Sequence, residues 1–273
     1  MDEIRVENVV EESVEDLCRV CLPSERELDP DWRRGAEEKK QWAAGMLQRW
    51  GSFAKVAYQG REPVGMIQYK PVPEERIIYI DCIYVPPGGC LRKGVASRLF
   101  ASLMEDVNKP MAWFDNRPPL ALVVNTFEGG AHDQYTAREF FTRKGFRPIG
   151  GDPDSLYYPL QAGFVYRPIE EQDAEYTPQS EDRGRVLIIC GPNFCPATYP
   201  FFLKKMEKYI REIDREIPIR WIDSSQEPDE LRKRNVRVGD CIVNARLVKS
   251  FVLDKESFKS EVQDLLRGEA KHS

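Results

Sequence analysis

A short segment after a predicted strand has the residues needed to bind phosphate. It reads Leu91-Arg92-Lys93-Gly94-Val95-Ala96, and a helix is predicted from about Gly94. Gly94 and Ala96 place no bulky side chain at the helix start, where backbone N–H groups carry partial positive charge. Arg92 and Lys93 add two cations. The combination favours a pyrophosphate-binding loop, although helix–strand packing alone could also require small residues at these positions.

A second segment could carry thiol chemistry. Cys195 and Pro196 are expected at the N-terminus of a helix, where the thiolate form of cysteine is favoured. Thr198 replaces the second cysteine of a Cys-x-x-Cys pattern, so a dithiol within the motif is absent. Cys241 could approach Cys195 as a resolving thiol, whereas Cys190 is expected in the core. The competing interpretation is that this segment has no redox role.

Histidine is too scarce for several kinds of active site. The chain has 2 histidines, His132 and His272. A Ser-His-Asp triad could use only His132, and a multi-histidine metal centre lacks ligands. We therefore expect neither a triad hydrolase nor a metal centre. His132 could act as a base, but beside Asp133 it is more typical of a surface group.

Several predicted elements must position these residues in the first half of the chain. A helix is expected over 30–50 and another over 94–107, because apolar residues recur there at helical spacing. The strands before and between the expected helices have runs of apolar residues. The predicted strands are Ile4–Asn8, Phe53–Tyr58, Val64–Tyr69, Arg76–Val85 and Ala121–Asn125, and a further helix is predicted over Tyr135–Lys144.

The second half has a different element order. An acidic segment, residues 166–183, is predicted to link a domain of residues 1–165 to one of residues 184–273. The order of the second domain is β-α-β-α, then a hairpin and a last helix capped by Asp254. The elements predicted are Arg185–Cys190, Pro196–Asp214, Ile219–Asp223, Pro228–Arg234, Cys241–Ala245 and Leu247–Leu253.

Composition limits the function classes further. The 273 residues are 41% hydrophobic and 31% charged, with a net charge of −5. A mildly acidic chain is a poor candidate for nucleic-acid binding, which needs clustered cations. No apolar run is long enough to span a membrane, and the N-terminus lacks the pattern of a signal peptide. We therefore expect a cytoplasmic protein whose 7 cysteines are thiols.

Three segments together resemble the GNAT superfamily of N-acetyltransferases. The family's phosphate loop has a Gly-x-Gly/Ala ending, which Gly94 and Ala96 match, although Leu91 replaces the usual first residue. The family's later pattern, Asn followed by Ala-x-x-Phe-Tyr-x-x-x-Gly-Phe, is similar to Asn125 and residues 137–146. Residues 60–69 resemble its second hairpin. The likeness covers roughly residues 1–160 and implies a mixed α/β (α+β) fold with a largely antiparallel sheet.

The resemblance implies acetyl-CoA as co-substrate and assigns residues to it. The backbone at Ile83 and Val85 would hold the pantetheine arm and polarise the thioester carbonyl. Asp81, on the fourth strand, occupies the position of a carboxylate that often serves the acceptor amine, although it could instead pair with a nearby cation. The full set implied for acetyl-CoA is Ile83, Tyr84, Val85, Leu91, Arg92, Lys93, Gly94, Val95, Ala96, Asn125 and Phe140.

The group that protonates the leaving thiolate is an open question. In the family this acid is the Tyr of Phe-Tyr, but Phe141 stands at that position. Tyr135, Tyr84 or a water could replace it, or the thiolate could leave unassisted, since a thiol pKa near 8.5 permits that. We therefore take Asp81 and Tyr135 as the candidate catalytic residues.

The second domain resembles a thioredoxin-like fold, and also the YoaP-type domain that follows some bacterial acetyltransferase domains. Two departures weaken a redox role, namely Thr198 and the absence of the proline expected before the hairpin, where Val236–Asp240 stands. A domain that binds the acceptor or completes the acetyltransferase cleft is therefore the preferred interpretation over a redox domain.

These observations lead to one function and one alternative. The first is an acetyl-CoA-dependent N-acetyltransferase, a monomer or homodimer that acts on an amine of a small molecule or peptide, with no nucleic-acid or membrane partner. The alternative is a thiol-based redox or sensor protein that uses Cys195 and Cys241 and whose first half only binds acyl-CoA. Four acidic residues of the early helical region could attract a cationic amine, but a solvated helix face is the preferred interpretation. They are Asp29, Asp31, Glu37 and Glu38.

Overall fold

The computed structural model describes residues 3–88, 90–126, 136–150, 152–169 and 175–268. Its contacts divide the chain into two units. The first unit holds residues 1–21 and 43–170, and the second holds residues 22–42 and 171–273. This division differs from the predicted one, because residues 22–42 group with the second half of the chain.

The first unit is built on a seven-stranded sheet in the order β1-β2-β3-β4-β5-β7-β6. Strands β4 and β5 pair in parallel and the other neighbours pair antiparallel, which confirms the predicted mixed, largely antiparallel sheet. The strands are β1 (Ile4–Asn8), β2 (Ala54–Gln59), β3 (Glu62–Val72), β4 (Ile77–Tyr84), β5 (Ala121–Asn125), β6 (Arg147–Ile149) and β7 (Asp152–Pro159).

Helices of this unit cover apolar strands. Successive side chains of a strand point to opposite faces, so Ile78 and Ile80 pack with helix α3 while Ile77 belongs to a second buried cluster. This explains why β4 is apolar without interruption over its first residues. The helices are α1 (Val14–Cys21), α3 (Val95–Val107) and α4 (Ala137–Arg143), together with the second part of α2 (Pro30–Trp50).

The second unit has a four-stranded sheet in the order β11-β10-β8-β9. Strands β8 and β9 are parallel, and β10 pairs antiparallel with both β8 and β11. The predicted helix over 196–214 instead begins as a π-helical turn, Thr198–Leu203, before α5. The elements are β8 (Val186–Cys190), α5 (Lys204–Ile213), β9 (Ile219–Asp223), α6 (Pro228–Arg234), β10 (Cys241–Val243), β11 (Arg246–Leu247) and α7 (Lys255–Arg267).

Part of the predicted acidic linker is packed. Asp182 is fully buried and pairs with the fully buried Arg234, whose Nη2 lies 2.7 Å from Asp182 Oδ1. The Tyr176 hydroxyl donates a hydrogen bond to the same carboxylate at 2.7 Å. A run of acidic residues is interpreted as solvent-exposed when the cation that pairs with it lies far along the chain. Here that partner is Arg234, so Tyr176 and Asp182 are buried in the second unit while the residues around them are mostly exposed.

In the part of the chain that the structure describes, every helix is too short or too polar to cross a membrane.

Candidate functional site

Strand β4 carries a bulge at Asp81. Its pairing with β3 steps from Gln68–Cys82 to Tyr69–Ile80, so Asp81 has no Cα partner on β3. A bulge interrupts the ladder and redirects the side chain of the extra residue. The bulge therefore gives Asp81 a position that the regular alternation of the strand would not provide.

Strands β4 and β5 stop pairing at the same level. Their parallel ladder ends at Ile80–Val124, yet β4 continues to Tyr84. Beyond Ile80, the β4 edge that faced β5 has no strand partner in the described structure. Backbone N–H and C=O groups on such an edge are available to a ligand.

A cavity of about 760 Å³ adjoins this edge of β4. Its volume lies within the range typical of small-molecule sites, about 300–1,000 Å³. Nine of the eleven residues expected to bind acetyl-CoA line it, and they come from β4, the following loop, α3 and α4. These nine are Ile83, Tyr84, Val85, Leu91, Arg92, Gly94, Val95, Ala96 and Phe140.

The start of helix α3 forms one end of the cavity. Gly94 is the residue before the helix and has φ of 81°, a left-handed conformation that side chains with a Cβ rarely adopt. The first N–H groups of a helix have no acceptor within it. Because Val95, Ala96 and Ser97 all line the cavity, these donors border it, and Arg92 adds a cation. The end of the cavity at α3 is therefore suited to an anionic group.

Two cations that the sequence analysis did not select also line the cavity. Arg143 and Lys144 lie at the end of α4. Lys144 Nζ donates to Ser97 Oγ at 3.0 Å and lies 5.5 Å from the centre of the Phe140 ring. Their spacing of three and four residues from Phe140 places all three on one helix face. That spacing was the signal available in the sequence.

The remaining predicted residues of the first unit have different positions. Lys93 lies in the loop before α3 but does not line the cavity. Asn125 is exposed at the end of β5, where its Nδ2 donates to Ser155 Oγ at 3.4 Å. Tyr135 and His132 lie outside the described residues, so Tyr84 is the candidate acid that the structure places at the cavity.

Phe141, the residue at the family's acid position, is buried in an aromatic cluster. It is 1% exposed, and its ring centre lies 4.9 Å from that of Phe146 and 5.2 Å from that of Phe140. Phe140 faces the cavity and Phe141 faces the core. Even a hydroxyl at position 141 would therefore enter an apolar environment.

Asp81 combines burial with a single cationic contact. Its side chain is 4% exposed, and Lys70 Nζ donates to Oδ1 at 2.9 Å. Oδ2 is buried and has no hydrogen-bond partner within the described structure. Burial raises the pKa of Asp81, and the Lys70 charge opposes that rise. Asp81 is not among the residues that line the cavity, and Ile83, two residues further along β4, is the nearest residue of the strand that does. A carboxylate with one unused oxygen can accept a proton.

In the second unit, Cys195 lies in the turn between β8 and the π-helical turn. The Cys195 backbone N–H donates to Asn193 Oδ1 at 3.0 Å, and the Thr198 hydroxyl donates to the same oxygen at 3.1 Å. The Cys195 side chain is half-buried. The replacement of a second cysteine by Thr198 thus supplies a hydroxyl that fixes the turn.

The first part of α2, which belongs to the second unit, packs on the same turn. A Cβ added to Gly35 would lie 1.9 Å from the Pro196 carbonyl oxygen, so the helix backbone contacts the turn directly. The rings of Trp42 and Phe194 meet edge to face with centres 6.2 Å apart. Residues 30–42 therefore cover the carboxyl end of β8, the end at which open α/β sheets commonly bind ligands.

Arg34 makes the polar contacts of this packing. Its Nη2 lies 3.2 Å from Cys190 Sγ, its Nε donates to Glu38 Oε1 at 3.1 Å, and its guanidinium lies 4.3 Å from the Tyr199 ring centre. Glu38 is 6% exposed, and burial raises its pKa. Glu38 is therefore paired and buried, not part of a solvated helix face, and the preferred interpretation of the early acids was wrong for Glu38.

The other two thiols of the second unit are in its core. Burial raises the pKa of Cys190 to about 11 despite the nearby Arg34 charge. Cys241 is 2% exposed, and burial also raises its pKa. Both belong to the same apolar cluster. The thiolate that a resolving cysteine needs is therefore disfavoured at Cys241 in this structure.

Solved structures show similarity at low identity. A putative acetyltransferase from Pyrococcus horikoshii is 14% identical, with a TM-score of 0.40 over 54% of this chain and 44% of that chain. The PaiA N-acetyltransferase from Thermoplasma acidophilum, solved with coenzyme A, is 12% identical, with a TM-score of 0.40 over 57% of this chain and 96% of that one. A GNAT acetyltransferase from Brucella melitensis, solved with acetyl-CoA, is 12% identical, with a TM-score of 0.39 over 59% and 90%.

This chain thus spans less than half the length of the Pyrococcus horikoshii protein. No curated protein matches the sequence. The matched family model covers α1, α2, β2, β3, β4, the loop before α3 and α3 itself. Residues 13–119 of this chain match the acetyltransferase (GNAT) family.

Proposed function

We propose that the first unit transfers an acetyl group from acetyl-CoA to an amine of a small molecule or peptide. The observation that carries this proposal is the cavity that joins the unpaired edge of β4 to the start of α3. A strand edge and a cationic helix start fit the two chemically different ends of acetyl-CoA. The family match over residues 13–119 supports the same reaction.

In this proposal the anionic end of acetyl-CoA binds at α3. The N–H groups of Val95 and Ala96 would donate to the pyrophosphate, with Arg92 close by, because a helix start favours negative charge. Arg143 and Lys144 would complete the cationic border from α4. Phosphate binding of this kind orients the acyl chain without taking part in the chemistry.

The pantetheine arm of acetyl-CoA would then lie along β4. Backbone groups near Ile83 and Val85, on the edge that β5 leaves unpaired, would bind it as a neighbouring strand would. The same N–H groups would polarise the thioester carbonyl, since donors aimed at a developing oxyanion stabilise the transition state. The acetyl carbon would then lie at the β4 end of the cavity, two residues from the bulge.

Asp81 is the proposed base. The amine nitrogen attacks the thioester carbonyl carbon and forms the C–N bond, and its proton passes to Asp81 Oδ2. The C–S bond breaks, and the departing thiolate takes a proton from Tyr84, Tyr135 or a water. The products are the amide and free coenzyme A, with one proton removed at nitrogen and one supplied at sulfur.

For the second unit we propose a structural role. Its sheet has the order β11-β10-β8-β9, and residues 30–42 of the same chain pack on the turn that carries Cys195. A redox domain needs an accessible thiol and a resolving partner. The packing of Gly35 on Pro196 and the burial of Cys241 give the thiol alternative less support than a structural role.

Calorimetric titration of the full chain with acetyl-CoA at low salt tests the proposed function. We expect micromolar binding, about −8 kcal/mol. Gly94→Glu adds a negative charge at the start of α3 and should weaken binding about tenfold or more. Gly163→Glu is the matched control, since Gly163 also has a positive φ, of 77°, and open space around it, but does not line the cavity. Equal affinities for the two variants, or no binding by the unaltered chain, would refute the assignment.

A further inference from the structure

Lys70 on β3 lies diagonally opposite Asp81 on β4. Lys70 pairs through its Cα with Tyr79, two residues before Asp81. Diagonal neighbours on adjacent strands are within reach of a long side chain. Lys70 Nζ contacts both residues: it lies 5.1 Å from the centre of the Tyr79 ring and 2.9 Å from Asp81 Oδ1. The ion pair therefore joins the two strands next to the bulge of β4.

The two partners differ in exposure. The Lys70 side chain is 45% exposed, whereas that of Asp81 is 4% exposed. A buried carboxylate is costly unless its oxygens are paired. Lys70 satisfies Oδ1, and Oδ2 is left buried without a partner in the described structure. An unsatisfied buried oxygen is unfavourable, and an N–H group of a bound ligand would satisfy it.

We propose that Lys70 is a positioning residue for acetyl transfer, which fixes the Asp81 carboxylate through Oδ1 and leaves Oδ2 to receive the proton of the acceptor amine. This inference rests on the proposed function.

Among the described residues, the other charged and titratable groups around Asp81 carry no positive charge that could replace that of Lys70. Tyr79, on the same strand, has its ring centre 5.1 Å from Lys70 Nζ, and burial raises its pKa, so it is neutral at pH 7. The charge of Asp152 on β7 also raises the pKa of Tyr79, whereas a hydrogen bond with the backbone of Asn125 on β5 lowers it. The cation acting on Asp81 is Lys70, which opposes the effect of burial on the carboxylate.

The proposal predicts a specific change in the pH dependence of kcat/KM for acetyl transfer. Lys70→Met removes the charge that favours ionised Asp81, so the acidic limb of the profile should move to higher pH by about one unit. Lys70→Arg retains a cation and should keep the limb near its original position. Lys109→Met is the control for loss of an exposed lysine, since Lys109 has a 70% exposed side chain at the end of α3.

A second measurement does not depend on turnover. A carbon-13 NMR titration of the aspartate carboxyl groups, with Asp81→Asn used for assignment, reads the Asp81 midpoint directly. We expect a higher midpoint in Lys70→Met and in Lys70→Gln, and no change in Lys109→Met. Urea unfolding of each variant checks that it is folded, because loss of Lys70 leaves the buried Asp81 carboxylate without its cation.

The outcomes separate the inference from the proposed function. If the unaltered chain transfers acetyl groups but Lys70→Met keeps the same acidic limb and Asp81 midpoint, the positioning role is overturned and the proposed function stands. If the chain acetylates no amine in a broad panel, the proposed function fails and the catalytic role of Lys70 fails with it. A shifted limb that Lys70→Arg restores supports the inference.

Discussion

The backbone of Gly35 contacts the carbonyl group of Pro196, and a methyl group on Gly35 would lie 1.9 Å from that oxygen. Both residues belong to the second unit although 160 positions separate them in the sequence. The contact brings α2 directly onto the turn that carries Cys195. It explains why glycine stands in the middle of a helix, where it is otherwise unfavourable by about 1 kcal/mol relative to alanine.

Gly35→Ala should destabilise the second unit. The added methyl group overlaps backbone atoms, and such overpacking costs about 1–3 kcal/mol. Gly45→Ala is a matched control in the same helix, since a Cβ there meets nothing within 4 Å. That control should be neutral or stabilising by up to about 1 kcal/mol. Urea unfolding of both variants compares the two free energies, and an equal change in both would contradict a close contact at Gly35.

Arg234→Met should cause a large loss of stability. It removes the partner of a fully buried carboxylate, Asp182, and leaving one charge of a buried pair costs about 3–5 kcal/mol. Arg232→Met is the control, because its ion pair with Asp229 is exposed and such pairs contribute about 0–1 kcal/mol. Thermal and urea unfolding distinguish the two, and similar losses would indicate that Asp182 finds another partner.

The thiols of the second unit should differ in reactivity. With a pKa of about 11, Cys190 is ionised to about one part in a thousand at pH 8, and buried Cys241 is ionised even less. We expect iodoacetamide at pH 8 to leave both unmodified in the native chain and to modify both in urea, as read by mass spectrometry.

Mild peroxide gives the complementary test of the redox alternative. The folded chain should form no disulfide between Cys195 and Cys241, because the second thiol is buried and protonated. A Cys195–Cys241 crosslink in the native protein would contradict the structural role proposed for the second unit and favour the thiol sensor.

Local pattern predicted most of the elements. Three elements have the predicted bounds: strands 121–125 and 219–223 and helix 228–234. Each has a single hydrophobic period and clear residues at its start and end. The placement of residues 22–42 in the second unit was not predictable in this way. It depends on the contacts of Arg34 and Gly35 with residues far along the chain, and the acids around them resemble a solvated face when read locally.

The part of the candidate site that is formed by backbone groups was predictable from the sequence. The loop before α3 was predicted from its small residues and cations, the end of β4 was predicted from the family resemblance, and both line the cavity. The sequence left open that Asp81 pairs with a cation, but it did not identify Lys70, because the register between β3 and β4 cannot be read from the periodicity of either strand.

Phe141→Tyr tests whether a hydroxyl at the family's acid position could be used. The structure buries Phe141 among Phe100, Phe140 and Phe146, so the new hydroxyl would lack a partner and should cost about 1–3 kcal/mol in the free energy of unfolding. Phe140→Tyr is the control, because that ring lines the cavity and its hydroxyl could reach water. We expect Phe141→Tyr to unfold at lower urea concentration than Phe140→Tyr, with no gain in acetyl transfer. If Phe141→Tyr were as stable as the unaltered chain and more active, the aromatic cluster would have to open onto the cavity, and position 141 would regain the role of acid that the sequence resemblance implies for it.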